Sequence, residues 1–306
     1  MTRLSIRHET IYRYGQPVGF GPQRLMVRPR DSHADRLVDA SLELSQPGYT
    51  RWMYDALGNC ICWYHPKGRS DELRIVSNLV IERFPAPLPS LADPHTAVPI
   101  VYSTADRTVL EPFIVPATEP DPAVRTWMRD HMSGPDEPAL AYLTRLTRAI
   151  HGQFRYGERD EAGTQIPGIT ISTGTGSCRD FAWLMIEVLR RLGYAARFVT
   201  GYLYSPQLDR PDAGRPDSNP GHLGAGSTHA WCEVFLPVFG WMEFDPTNGL
   251  AESPDLIRVA STRTPEPPIA GAIVGDPRSC EMSVKVEVRM LDGPSPSMAA
   301  PQAANA

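Results

Sequence analysis

The chain has 306 residues, 42% of them hydrophobic and 21% charged, with a formal net charge of −5. These values fit a globular protein whose core needs no staples, and they exclude a disordered or fibrous chain. The acidic balance offers no basic stripe for a nucleic-acid partner, and no apolar run approaches the roughly 20 residues that span a bilayer.

The opening residues, Met1 to Thr10, contain neither a continuous apolar stretch nor a small-residue cleavage site. They predict no signal peptide and a cytoplasmic protein without membrane partners. The five cysteines are Cys60, Cys62, Cys178, Cys232 and Cys280. An odd number argues against a disulfide framework and for free thiols in a reducing compartment.

In chain order, the first 85 residues read as β-rich. Strands are predicted over 2–14, 23–30, 37–44 and 73–84, where β-branched and aromatic residues alternate or run. Leu57-Gly58-Asn59 between two aromatic-rich runs reads as a hairpin turn. A compact antiparallel sandwich over 1–85 follows. Residues 86–122 are dense in proline and read as a linker or wrapping segment. Asp121-Pro122 opens a predicted helix over 123–131. A second helix is predicted over 137–154 from the stripe Leu140, Leu143, Leu146 and Ile150.

The strongest helical signal runs from Ser177 to Gly193. Ser177 and Asp180 have capping-box spacing, and Phe181, Met185, Val188 and Leu192 repeat at helical intervals. Three strands are expected next, over 196–204, 228–236 and 241–244. A Gly-, Pro- and Asp-rich loop spans 205–227, and a late strand is expected over 284–290. The end of the chain, 293–306, reads as a disordered tail.

Chemistry concentrates at three places. Cys178 opens the predicted buried helix, where unpaired N–H groups and the helix dipole favour a thiolate. The glycines before it, Gly174 and Gly176, would let a substrate approach the backbone closely. Cys178 could also be a small buried residue and nothing more. His229 begins a predicted strand, and alternation puts it on one face with Trp231 and Glu233, opposite Cys232. A general base fits that position; a structural histidine does too. Asp245 precedes Pro246 and would open a turn on its own account. A hairpin over 237–240, however, would bring Phe244-Asp245 beside Thr228-His229, and a carboxylate there would orient the imidazole.

Four blocks carry a resemblance. Gly-Ser-Cys178-Arg-Asp-Phe-Ala-Trp-Leu, Arg-Phe-Val-Thr-Gly-Tyr-Leu, Thr-His229-Ala-Trp-Cys-Glu-Val-Phe-Leu-Pro and Phe-Asp245-Pro-Thr-Asn-Gly together resemble the bacterial transglutaminase-like family. The segment Ile6-Arg-His-Glu-Thr-Ile-Tyr-Arg-Tyr is similar to the N-terminal domain that accompanies such cores. The resemblance implies an α+β protein with a papain-like cysteine-protease/transglutaminase core over 123–292. It also implies Cys178 as nucleophile, His229 as base and Asp245 as its partner. An upstream side chain would supply the second oxyanion donor, and Tyr156 in Phe154-Arg155-Tyr156 fits that place loosely; packing explains it as well.

The expected activity is acyl transfer from a peptide or side-chain amide through a thioester, with hydrolysis ahead of protein-glutamine transamidation. A fold-retaining peptide-binding module without turnover is the alternative class, and a metal protein using His229 and Cys232 a third. No cofactor or metal is expected. Cys60-x-Cys62 has no second pair at zinc spacing, and Asp209, Asp212 and Asp217 miss the calcium-loop pattern.

Overall fold

The computed structural model describes residues 1–84, 90, 100–119, 121–134, 136–157, 159, 161, 163–209 and 221–291. The expected tail at 293–306, and residues 210–220 of the expected loop, lie outside the described residues. The spine of the N-terminal part is strand β1 (Thr2–Leu25), which takes in the first predicted strand and the start of the second. Its buried positions alternate through Leu4, Ile6, His8 and Thr10, the period of a strand with one covered face. Strands β2 (Asp35–Leu44), β3 (Gly48–Tyr54), β4 (Cys60–Pro66) and β5 (Arg69–Arg83) complete the order β2-β5-β1-β4-β3.

The Pro-rich stretch expected as a linker contains a packed helix, α1 (Thr104–Ile114). Ser103 caps it by accepting from the Asp106 N–H, and Leu110, Phe113 and Ile114 bury against Ala195, Phe235 and Trp241. Apolar spacing in this short helix outweighs its proline count, although Pro112 in the last turn forgoes the N–H that would bond the carbonyl four residues back. Next come α2 (Pro122–Asp130) and α3 (Ala139–Gln153), then the two-residue strand β6 (Arg155–Tyr156), α4 (Pro167–Thr173) and β7 (Thr175–Gly176). Strands β6 and β7 pair in parallel, with Tyr156 opposite Gly176.

Helix α5 (Cys178–Arg191) is the hub of the second part. Phe181, Leu184, Met185, Val188 and Leu189 are buried against α3 and the adjoining sheet, each side chain contributing about 1.5–3 kcal/mol. Even its charged residues are internal. The Glu187 carboxylate accepts from the Ala117 and Thr118 N–H groups, and Arg190 donates to the carbonyls of Phe113 and Ala196. These bonds bind the 113–118 segment to the core.

The sheet under α5 is formed by β8 (Ala196–Leu203), β9 (His229–Leu236), β10 (Gly240–Asp245), β11 (Leu250–Ala251) and β12 (Leu256–Thr262), in the antiparallel order β11-β10-β9-β8-β12. Alternation along β9 sends Ala230, Cys232 and Val234 toward α5, while Trp231 packs with Val199, Leu203 and Leu256. A helix on an antiparallel sheet beside an antiparallel β domain is the α+β architecture expected.

The last strands, β13 (Ile269–Val274) and β14 (Cys280–Met290), were grouped with the core on sequence. Both instead pair with β1, which makes the first sheet seven-stranded. The physical reason is the second edge of β1, left open by β5: β14 covers it from Leu4 to Tyr14. The two parts share a core in which Leu4, Ile6, Leu79, Ile81, Val286 and Val288 meet Tyr202, Tyr204, Ile257 and Val259. His8 lies within it, with Nδ1 3.0 Å from the Tyr202 hydroxyl, and burial pushes its pKa down to about 4.

Candidate active site

Cys178 occupies the first residue of α5, and Ser177 caps the helix from extended backbone. The capping box forms as expected. Asp180 Oδ2 accepts from the Ser177 N–H at 2.8 Å and its hydroxyl at 2.9 Å. Asp180 does more than cap. Fully buried, it also accepts from Arg159 Nη1 at 2.9 Å and from the Gln165 N–H at 2.7 Å, which fastens the 159–165 segment to the start of α5.

The two glycines before Cys178 have structural duties, and at Gly176 neighbouring side chains fill the clearance inferred from sequence. Gly174 ends α4 in the left-handed region at φ 68°. A methyl group on Gly176 would come within 2.9 Å of Asp180 Cβ and 3.0 Å of the Phe181 ring, so only glycine lets the first turn of α5 fold back so closely.

His229 and Asp245 come together at the ends of β9 and β10. The hairpin register pairs Gly240 with Leu236 and Phe244 with Cys232, which carries Asp245 up to the His229 end of the neighbouring strand. There His229 Nε2 donates to Asp245 Oδ2 at 2.9 Å, with both side chains fully buried. Two further donors hold the carboxylate: the Thr247 N–H on Oδ1 at 2.9 Å and Asn248 Nδ2 on Oδ2 at 2.8 Å.

The electrostatics follow. Burial works against a charged imidazole, but the Asp245 carboxylate outweighs it, with a smaller contribution from Cys178, and the His229 pKa rises to about 10. Burial likewise opposes ionised Asp245, yet His229, Asn248 and the Thr247 N–H hold its pKa below the usual carboxylate value. Asp245 takes one ring nitrogen. The other, Nδ1, is buried without a hydrogen-bond partner.

Tyr156 stands next to this space. Its strand partner is Gly176, two residues before the thiol. A methyl group placed on Gly224 would reach His229 Nδ1 at 2.9 Å and the Tyr156 hydroxyl at 3.5 Å, so hydroxyl, imidazole and the turn around Gly224 border one small volume. The described end of the 205–227 loop therefore lies on the site. Trp183, by contrast, is core: it is 6% exposed and sits under the Arg190 guanidinium at 5.5 Å.

Three of the remaining thiols differ in setting. Burial pushes Cys62 up to about 11 and raises Cys60 and Cys232 as well, while Cys280 is exposed. Among the described residues, no group of three or more His, Cys, Asp or Glu side chains is placed to hold a metal ion.

Sequence comparisons place the chain in a family. Residues 4–82 match the bacterial transglutaminase-like N-terminal region, and residues 125–246 match the transglutaminase-like superfamily. The chain belongs to the bacterial transglutaminase-like proteins, with that N-terminal region followed by a transglutaminase-like core. An uncharacterised protein of Mycobacterium tuberculosis is 28% identical over 312 residues, covering 95% of this chain and 94% of the relative. A protein-glutamine gamma-glutamyltransferase of Pseudomonas aeruginosa is 30% identical over 117 residues, 38% of this chain and 16% of that protein. Among solved structures, a candidate cysteine protease from Cytophaga hutchinsonii superposes with a TM-score of 0.70 at 19% identity, over 96% of this chain and 92% of that one. The shared fold is the papain-like one of cysteine-type enzymes.

Proposed function

We propose that the protein is a thiol acyltransferase acting on amides, with Cys178 as nucleophile, His229 as general base and acid, and Asp245 as the carboxylate that orients the ring. The observation that carries this reading is the buried 2.9 Å His229–Asp245 pair, whose second nitrogen is unpartnered, and Cys178, at a helix start, is among the groups that raise the ring's pKa. The mechanism follows from the groups present. The Cys178 thiolate adds to the carboxamide carbon as the C=O electron pair moves to oxygen. The Cys178 N–H, which like every first-turn N–H has no intrahelical acceptor, faces that oxyanion; the Tyr156 hydroxyl is the candidate second donor. The tetrahedral centre collapses with breakage of the C–N bond, and the imidazolium hands its proton to the departing nitrogen. A thioester remains. Water or a primary amine, deprotonated by the now neutral ring, attacks it and restores the thiol.

Hydrolysis of a peptide or side-chain amide is the first assignment. Transamidation is the second, favoured by the similarity to the Pseudomonas glutamyltransferase. Incubation with a glutamine-containing peptide library, with and without a primary amine, separates them by mass: cleavage, deamidation and amine incorporation each change the peptide differently. Products that persist after Cys178→Ala would refute the reading.

A further inference from the structure

The site's carboxylate is tied to the loop that borders it through one side chain, Asn248. Its Nδ2 donates to Asp245 Oδ2 at 2.8 Å, on the same oxygen that receives His229 Nε2. The same amide reads both backbone groups of Leu223: Oδ1 accepts the Leu223 N–H at 2.8 Å, and Nδ2 donates to the Leu223 carbonyl at 3.2 Å. Asn248 thus behaves toward the loop as a peptide group on a strand edge would, offering one donor and one acceptor in register.

Leu223 belongs to the turn Gly221-His222-Leu223-Gly224-Ala225-Gly226. Three of its six residues have left-handed backbone, with φ of 81°, 82° and 91° at Gly221, Gly224 and Gly226, conformations that non-glycine residues enter only with strain. The turn reaches the imidazole at Gly224, where there is no room for a side chain: a methyl group would sit 2.9 Å from His229 Nδ1. Beyond Gly224 the turn is held to the N-terminal sheet, since the Gly226 carbonyl accepts from the Val286 N–H at 2.9 Å. The piece over the ring is therefore fixed at Gly226 and fastened at Leu223 by Asn248.

We propose that Asn248 is a positioning residue that latches the glycine turn 221–226 as a roof over the Cys178–His229 space, coupling the roof's position to the His229–Asp245 pair. Opening the roof breaks the two bonds to Leu223 and leaves the bond to Asp245 in place. With the roof down, a backbone without side chains lies against Nδ1, so the bound amide has to be slender where it passes Gly224. This inference rests on Cys178 being the reactive thiol.

The test uses the full chain. Labelling of Cys178 by small iodoacetamide and by bulky fluorescein maleimide is timed by peptide mapping, in parallel with amide hydrogen exchange at Leu223. Losing two neutral hydrogen bonds in Asn248→Ala should raise the bulky-to-small rate ratio about ten- to hundredfold. It should also speed exchange of the Leu223 N–H by a similar factor while exchange in α5 stays as in the wild type. Asn248→Asp puts a second carboxylate beside Asp245, so the ratio should be high near neutral pH. It should fall back in acid, where the new carboxyl is protonated and donates again. A general loosening would move both reagents together and show no such pH reversal. An unchanged ratio together with unchanged Leu223 protection in Asn248→Ala overturns the latch. If iodoacetamide labels Cys178 no faster than the other thiols in the wild type, the nucleophile assignment fails instead, and the Leu223 exchange still decides whether Asn248 holds the turn.

Discussion

Replacing Asp245 by asparagine keeps the shape of the carboxylate and removes its charge, and the structure sets the size of the response. The His229 pKa stands at about 10 against an ordinary 6.5, with burial opposing the rise and Asp245 the main cause of it. At 1.36 kcal/mol per pH unit, that span corresponds to roughly 5 kcal/mol of preference for the charged ring in the folded state. It agrees with the about 3–5 kcal/mol that breaking a buried ion pair costs. Because the histidine pKa is raised on folding, its contribution is present in full below 6.5 and is lost as pH rises through about 10. The lowered pKa of Asp245 is the other face of the same interaction and is counted once.

Asp245→Asn should therefore destabilise the protein by about 3–5 kcal/mol near pH 6, and the deficit should shrink toward pH 11. Proton NMR titration of the eight histidines, with the His229 signal assigned by its absence in His229→Gln, reads the cause directly. The wild-type ring should remain protonated past pH 9, and in Asp245→Asn it should titrate well below the wild-type midpoint, since burial, the largest influence, is then opposed only by the smaller contribution of Cys178. A wild-type midpoint near 6.5, or equal midpoints in the two proteins, would refute the reasoning.

Iodoacetamide near neutral pH should modify Cys178 ahead of exposed Cys280, although Cys178 is only 8% exposed, and peptide mapping should find Cys60, Cys62 and Cys232 slowest. Burial and the neighbouring charges of Glu233 and Glu252 push Glu243 up to about 8. A carboxyl raised in this way lowers stability as pH climbs from 4.5 to 8, so denaturant unfolding of Glu243→Gln should match wild type near pH 4. Above pH 8 it should show a gain of about 1–2 kcal/mol, the low end because the side chain is half-buried. In Gly201→Ala the new methyl would fall 2.1 Å from the Ile257 carbonyl oxygen and 2.7 Å from the Trp231 ring, and the protein should lose about 1–3 kcal/mol or more of unfolding free energy.

The candidate site was legible in the sequence because its geometry is mostly local. A capping box fixes where α5 begins and so where Cys178 sits, and a tight turn between β9 and β10 leaves little freedom in the register that joins His229 to Asp245. The β-rich start, α3 and α5 followed from periodicity, and α2 from its Asp121-Pro122 start, for the same reason. What escaped depends on partners distant in the chain. Nothing near Val284 to Met290 says that they pair with Leu4 to Thr10. Proline density hid α1, whose case rests on Leu110 and Phe113 finding Phe235 and Trp241. Gly176 looks like room for a substrate until Phe181 is seen to fill it. Asn248 sits in a turn-forming Asp-Pro-Thr-Asn-Gly run, and its bonds to Leu223 are visible only once that loop has folded back.

Pairing β1 with β14 has a consequence for biosynthesis. Strand β1 leaves the ribosome well before β14, and its edge from Leu4 to Tyr14 stays uncovered until β14 has been made. Closing so distant a contact is intrinsically slow. Until then the nascent protein carries an unsatisfied sheet edge, the condition under which strands recruit wrong partners. Only when β14 docks does the Val286 N–H become available to Gly226, so the turn beside His229 is tied down after the strands that carry His229 and Asp245 have been made.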